Sequence, residues 1–362
     1  YVPPPYPHAN LPYLTDADVP TSMLMQTLWR ACRVKRGDGS QSEARFVAWL
    51  ANRLPVTMID PAGNIHVDTR KSPSHRTMFT AHTDTVHTSG GDNRIRLDTS
   101  DPDAIKWRAD QGACLGADDG AGVALLMHMI DAGVPGYYVW FRGEECGGVG
   151  SSWLSQHMPG LMKEIDRCIS FDRADYMDVI THQAGGRCCS EEFAQALADA
   201  LTNEDMTLAF TPDSSGVFTD SANLTEEIAE CTNLSVGYKH QHGDGEWQDV
   251  TFLALLADQL CLVPWDDLPV KRDPTKPDYA DRWMSNTYWG TSTVSTGQGK
   301  GKAKVKNLTL GQQPEYDVTT ELLIEALYDA YAGSYINIKQ LVSEFAMPED
   351  PDTAYPFINP FR

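Results

Sequence analysis

The chain has 362 residues, with 29 Lys and Arg against 50 Asp and Glu, a formal charge of −21. At 41% hydrophobic and 22% charged it is an ordinary globular composition, long enough for one large domain or two smaller ones. Such acidity repels phosphate backbones and excludes nucleic acid as a general partner. No apolar run nears the roughly 20 residues that cross a bilayer. Tyr1–Asn10 is Pro-rich and lacks the basic flank and apolar run of a signal peptide. The eight Cys show no C-x-x-C spacing, which disfavours a thiolate zinc site and reads as reduced, buried thiols of a cytoplasmic protein.

Residues 1–20 read as an extended arm. Ser40-x-x-Glu43 forms a capping-box pattern ahead of Phe46, Val47, Leu50 and Leu54, which share one helical face. Val56–Ile59 and Ile65–Val67 read as short strands around a turn at 60–64, and Thr77–Ala81 as a strand ending just before His82. Residues 90–113 are polar and turn-rich, a hairpin or a surface loop. A helix opens at 116–120 with Val123, Leu126, Met127 and Ile130 on one face. Tyr137–Arg142 and Cys168–Phe171 read as buried strands, Ser190–Asn203 as a helix, Leu234–Tyr238 as a strand and Val250–Leu262 as a closing helix. This alternation predicts an α/β fold whose sheet is mixed and parallel at its centre. The expected organisation is a catalytic domain over 1–265, a Pro-, Lys-, Gly- and Ser-rich linker or arm over 266–316, and a short helical extension over 317–362.

Five places carry residues suited to metal chemistry: His82 and Asp84, Asp118 with Asp119, Glu144 with Glu145, Asp172, and His240 with His242. Taken singly, each has an ordinary reading as a cap, a solvated turn or a surface residue. Together they fall just beyond expected strands, and in open α/β sheets the carboxyl ends of strands converge on a ligand crevice. Imidazole and carboxylate donors suit zinc, with manganese or cobalt as substitutes. Asp118 is expected to bridge two ions, with His82 and Asp172 on one and Glu145 and His242 on the other. Two such ions share a hydroxide and polarise a carbonyl. Glu144 is then the general base that moves the water proton to the leaving amine, and Asp84 orients His82.

At these residues the chain resembles the cocatalytic zinc exopeptidases of the aminopeptidase and carboxypeptidase superfamily (clan MH). The resemblance covers roughly residues 20–265. It rests on Asp60-Pro61-Ala62-Gly63-Asn64, on His82-Thr83-Asp84-Thr85-Val86, and on Gly116-Ala117-Asp118-Asp119-Gly120, where the family's Asp–Asp peptide is typically cis. It rests also on Glu144-Glu145-Cys146-Gly147 running to Ser151, and on Gly237-Tyr238 leading to His242 and Glu246. It implies a three-layer α/β/α fold, two divalent ions held by His82, Asp118, Glu145, Asp172 and His242, and the roles above for Glu144 and Asp84. For the last ligand, His242 is preferred to His240 because the family places its His four residues after the Gly-Tyr pair. Asp220 falls in a segment that also resembles the family and receives no role. The 70 residues from Asp172 to His242 leave no room for an inserted lid domain, which points to the compact, aminopeptidase-like branch.

The expected function is therefore an aminopeptidase acting on peptides. A carboxypeptidase or an amidohydrolase of N-acyl amino acids is the alternative within the fold, with Arg187 as the candidate anchor for a substrate carboxylate. A structural protein built on a peptidase-like fold, tied into a homo-oligomer or assembly by its terminal arms, is the alternative from another class.

Overall fold

The computed structural model describes residues 8–276, and the helical patterns expected beyond residue 316 lie outside them. The chain begins with α1 (Met23–Cys32), α2 (Gln41–Ala51), β1 (Met58–Ile59), β2 (Ile65–Asp68) and β3 (Thr77–His82). A hairpin of β4 (Ile95–Asp101) and β5 (Ala104–Ala109) precedes α3 (Ala117–Asp131), β6 (Tyr137–Phe141), α4 (Val149–His157) and α5 (Pro159–Met162). Then come β7 (Arg167–Arg173), β8 (Asp178–Ile180), β9 (His182–Gln183), β10 (Gly186–Arg187), α6 (Glu191–Leu201) and β11 (Thr211–Asp213). The last elements are β12 (Glu230–Ser235), β13 (Tyr238–Lys239), β14 (Trp247–Asp249) and α7 (Val250–Leu260).

The main sheet runs β1-β2-β6-β3-β7-β12-β8-β11. Its centre, β6-β3-β7-β12, is parallel, and the pairs β1-β2, β2-β6 and β12-β8 are antiparallel. Strand side chains alternate between faces, so two cores form. Tyr137, Val139 and Phe141 of β6 join Met78 and Cys168 in one core, while Tyr138 and Trp140 join Phe79 and Ile169 in the other. Helices α1, α2, α3 and α7 supply the second core and α4 with α5 the first, which gives the three layers. Burying each such aromatic or aliphatic side chain contributes about 1.5–3 kcal/mol. The edge-on contact of Phe79 with Trp265, centroids 4.8 Å apart, closes this core beneath β3. A separate antiparallel sheet, β13-β14-β5-β4, contacts α3 through β13 and β14 and α7 through β5.

Several local expectations change. No element is expected between residues 21 and 39, yet α1 forms there, capped by Ser22 and filled with Leu24, Leu28 and Trp29. The polar stretch 90–113 is the β4–β5 hairpin. Part of the expected N-terminal arm lies on its own chain: Leu14 N–H donates to Ile95 O (2.9 Å) and Leu97 N–H to Pro12 O (2.9 Å). Ser40 caps α2 through the Glu43 N–H, but the reciprocal half of the capping box is absent. Glu43 instead accepts from the Gly39 N–H (2.6 Å) and the Thr83 hydroxyl (3.2 Å), tying α2 to the loop after β3. Asp172 lies within β7, not beyond its end. Of the eight Cys, none is in a disulfide; Cys146 is exposed, contrary to the expectation of uniformly buried thiols. Past Pro264 the chain stays on the domain, with the Lys271 and Arg272 N–H groups donating to Glu230 (2.6 and 3.0 Å).

Candidate active site

Strand order explains why residues far apart in sequence meet. β6, β3 and β7 are adjacent and parallel, so their carboxyl ends lie side by side. They deliver Glu144 and Glu145, His82, and Asp172 to one edge. Asp118 arrives from the start of α3, where residues 118 and 119 leave helical geometry and their peptide bond is cis, as the resemblance implied. His242 comes from the loop between β13 and β14.

Two trios of donor atoms result, His82–Asp118–Asp172 and Asp118–Glu145–His242, each with all atoms within 4.8 Å of one another. Asp118 belongs to both. Its Oδ1 lies 3.1 Å from His82 Nε2 and its Oδ2 3.1 Å from His242 Nε2. His82 Nε2 is also 3.6 Å from Asp172 Oδ1. His240, the other candidate, belongs to neither trio. The donors fit a pair of cations. Glu145 Oε1 is buried and has no hydrogen bond, although His242 Nε2 stands 3.1 Å away. That one nitrogen faces two carboxylates at the same distance, and a single N–H shared between both serves each only weakly. A cation shared by the three groups satisfies all of them.

The supports around the trios are largely invisible in the sequence. Asp84 accepts the backbone N–H of both Glu144 and Glu145 (3.1 Å each), and its Oδ1 lies 3.4 Å from His82 Nδ1. It therefore fixes an imidazole and the two-glutamate loop at once. Asn64 holds that loop at both ends, accepting from the Arg142 N–H (3.0 Å) and donating to Gly150 O (3.1 Å). A Cβ on Gly150 would sit 2.1 Å from the Asn64 oxygen, so the close approach needs glycine. Asp172 accepts from the hydroxyls of Thr219 (2.7 Å) and Tyr238 (3.0 Å). Asp119 accepts from the His82 and Gly122 N–H groups (3.0 and 2.8 Å). Glu246 receives four successive N–H groups, Leu115 to Asp118, at 2.7–3.1 Å. Buried Arg36 joins Thr83 O (2.9 Å) to Gly116 O (3.2 Å). Asp220 is buried and accepts from the Ser151 hydroxyl (2.5 Å).

Titration follows from this crowding. Burial lowers the pKa of the His82 imidazole, but Asp172, Asp118 and Asp84 together raise it well above its usual value. The Asp118 and Glu145 carboxylates raise His242 to about 10. Burial opposes ionisation of Asp118, yet His242 and His82 hold it well below the usual carboxylate range. Burial pushes the Glu144 carboxyl up to about 9; His82 opposes this, and Asp172, Asp220 and Asp118 add to it. Without cations, imidazolium protons do the neutralising that bound ions would otherwise do.

The site opens into a cavity of about 230 Å³. Asp118, Glu144, Glu145, Asp172, Arg173, Val217 and Phe218 are among the residues that line it. Arg187 does not line it; its guanidinium lies 3.4 Å from Glu191.

A family model described as peptidase family M28 matches residues 64–250, more than half of the chain and every residue of both trios. No curated protein matches it in sequence. Solved structures match in fold. An aminopeptidase PepT from Bacillus cereus ATCC 10987 is 14% identical, with a TM-score of 0.52 over 68% of this chain and 99% of that one. A tripeptidase from Staphylococcus aureus subsp. aureus Mu50 is 15% identical (0.52; 68% and 98%), and the TET1 peptidase of Pyrococcus horikoshii 14% identical (0.51; 67% and 98%). At these identities the likeness is one of fold.

Proposed function

The chain belongs to peptidase family M28, and from that premise we propose that it is a two-metal aminopeptidase, with zinc as its native ion, that removes N-terminal residues from peptides. The observation that carries this reading is the sharing of Asp118 between two donor trios. Bound there, two divalent ions supply a polarised scissile carbonyl and an acidified water. His82, Asp172 and one Asp118 oxygen would hold the first, and Glu145, His242 and the other Asp118 oxygen the second.

Glu144 sits beside these donors but in neither trio, so its carboxylate is free to accept the proton of the attacking water and pass it to the leaving amine. Burial first, and then Asp172, Asp220 and Asp118, hold it protonated, and ions that neutralise Asp118 and Asp172 would draw its pKa down toward that of a base. Asp84 keeps Glu144 in place through the backbone and keeps the His82 ring turned toward Asp118. The two aminopeptidase and tripeptidase structures that share the fold are consistent with peptide substrates.

Elemental analysis and paired substrates test the reading. Two ions per chain and cleavage of free-amine peptides are expected, with N-acetylated peptides resisting. Cleavage confined to N-blocked substrates would replace aminopeptidase by amidohydrolase.

A further inference from the structure

The chain carries a formal charge of −21, yet residues 30–53 hold six Lys and Arg against two acids. Folding gathers three of those arginines around one cavity of about 270 Å³. Arg30 comes from the last turn of α1, Arg33 from the position that ends it, and Arg45 with Ser42 from α2; Gly91 and Asp92 also line it. This cavity shares no lining residue with the one at the metal donors. Cations are favourable at the C-terminal end of a helix, which accounts for Arg30 and Arg33 but not for Arg45 in the body of α2. Three guanidiniums against the one carboxylate of Asp92 leave an excess of two positive charges in the lining. The crowding extends beyond it: Arg30 and Arg53 both stand over the Trp49 ring, at 5.8 and 4.5 Å. Burial, with Arg30 adding to it, brings the Arg53 guanidinium down to about 10. Asp16 offsets little of this charge. Its side chain is 70% exposed, and its Oδ1 accepts from both Trp29 Nε1 (2.6 Å) and Arg33 Nη1 (2.9 Å). Ser42 Oγ accepts the Gly91 N–H (2.7 Å), which leaves the hydroxyl proton to donate.

We propose that this cavity, lined by Arg30, Arg33 and Arg45, binds a phosphate dianion, free or carried by a small molecule, at a site separate from the metal donors. Guanidinium N–H groups match phosphate oxygens in geometry as well as charge. A dianion balances the excess of two, where a single carboxylate would leave half of it. The volume lies under the roughly 300–1,000 Å³ usual for larger ligands, which suits inorganic phosphate or a compact ester. The acidity of the chain as a whole repels anions from most of its surface and sets this cavity apart. An anion held there ties the end of α1 to α2 and to the loop at 90–92.

Calorimetry on the full-length protein as purified tests the site, with inorganic phosphate, sulfate and acetate titrated at one ionic strength. Phosphate and sulfate should each bind, and acetate roughly 10-fold or more weakly. Phosphate can also reach a bound metal ion, so the contrast is Arg45→Gln, which leaves both donor trios intact. This variant should bind phosphate and sulfate about 10-fold or more weakly, with unchanged metal content and an unchanged melting temperature in the absence of anion. Phosphate should raise the melting temperature of the parent more than that of the variant. Arg45→Lys, which keeps the charge but not the fork, should fall between them. If Arg45→Gln does not fold, Arg30→Gln decides by the same criteria. Binding that is equal in the parent and in a folded variant overturns the proposal, as does a parent that takes up neither dianion. Cosedimentation with phosphatidic acid vesicles without binding of free phosphate would assign the arginines to a membrane surface and overturn it too.

Discussion

The two donor trios share Asp118 but are built differently. His82 and Asp172 are strand residues, almost fully buried, and each is held by further groups: His82 by Asp84 and Asp119, Asp172 by Thr219, Tyr238 and Asn233. Glu145 and His242 come from loops. The His242 side chain is 51% exposed, its backbone is left-handed (φ 67°), and Glu145 Oε1 has no hydrogen bond. One half of the site is preorganised by the sheet, and in the proposed two-metal reading the other would rely on the ions to bring its parts together. Preorganised donors bind more tightly because less ordering is required on binding. The buried half should therefore fill first and release its ion last.

Replacing Glu144, the proposed base, tests the chemistry without touching either half. Glu144→Gln should lower kcat by about 10²–10⁴-fold or more while two ions remain bound, as read by elemental analysis beside steady-state kinetics. Wild-type-like turnover would remove Glu144 from the mechanism.

Ligand deletions address the asymmetry directly. His242→Ala should retain about one ion per chain after gel filtration, whereas Asp118→Ala should retain none. If His242→Ala emerges with no ion, the buried half is not independently competent and the comparison fails.

Acid–base linkage offers a third measurement. In the metal-free chain His82 and His242 have raised pKa values, His242 to about 10. Raised imidazole pKa values contribute stability that is complete below the unfolded value of about 6.5 and is lost as pH rises through about 10. The metal-free protein should thus melt at progressively lower temperature from pH 7 to pH 10. Loading with ions should remove that slope and release protons at pH 7, measurable by calorimetry in buffers of different ionisation enthalpy. A metal-free melting temperature that is flat over this window contradicts the imidazolium pairing.

The smallest effect is expected from Tyr238→Phe, which deletes only the hydroxyl on Asp172. Affinity for the tighter ion should fall about 10-fold, with the weaker ion little changed. An equal loss at both positions would mean that the two halves are supported jointly.

What the residues alone determined is the set of candidate donors. His82, Asp118, Glu145 and Asp172 are legible as candidates because metal donors are chemically restricted and because each falls near a strand end or helix start that hydrophobic periodicity reveals. The same periodicity gave the α/β alternation and the parallel centre of the sheet. What only the tertiary structure decided is support and selection. Glu246 stapling four N–H groups, Asn64 bracketing the two-glutamate loop, and Tyr238 and Thr219 on Asp172 are contacts between residues 47 to 131 positions apart, and no local pattern encodes them. The separation of His242 from His240 likewise depends on the backbone course of a loop, since either imidazole has the right chemistry. Arg173 and Arg187 look alike in sequence, yet of the two only Arg173, at the end of β7, lines the cavity. Donor identity is local chemistry and survives in one dimension; which donors face a common point is a matter of strand order and loop path, and exists only in three.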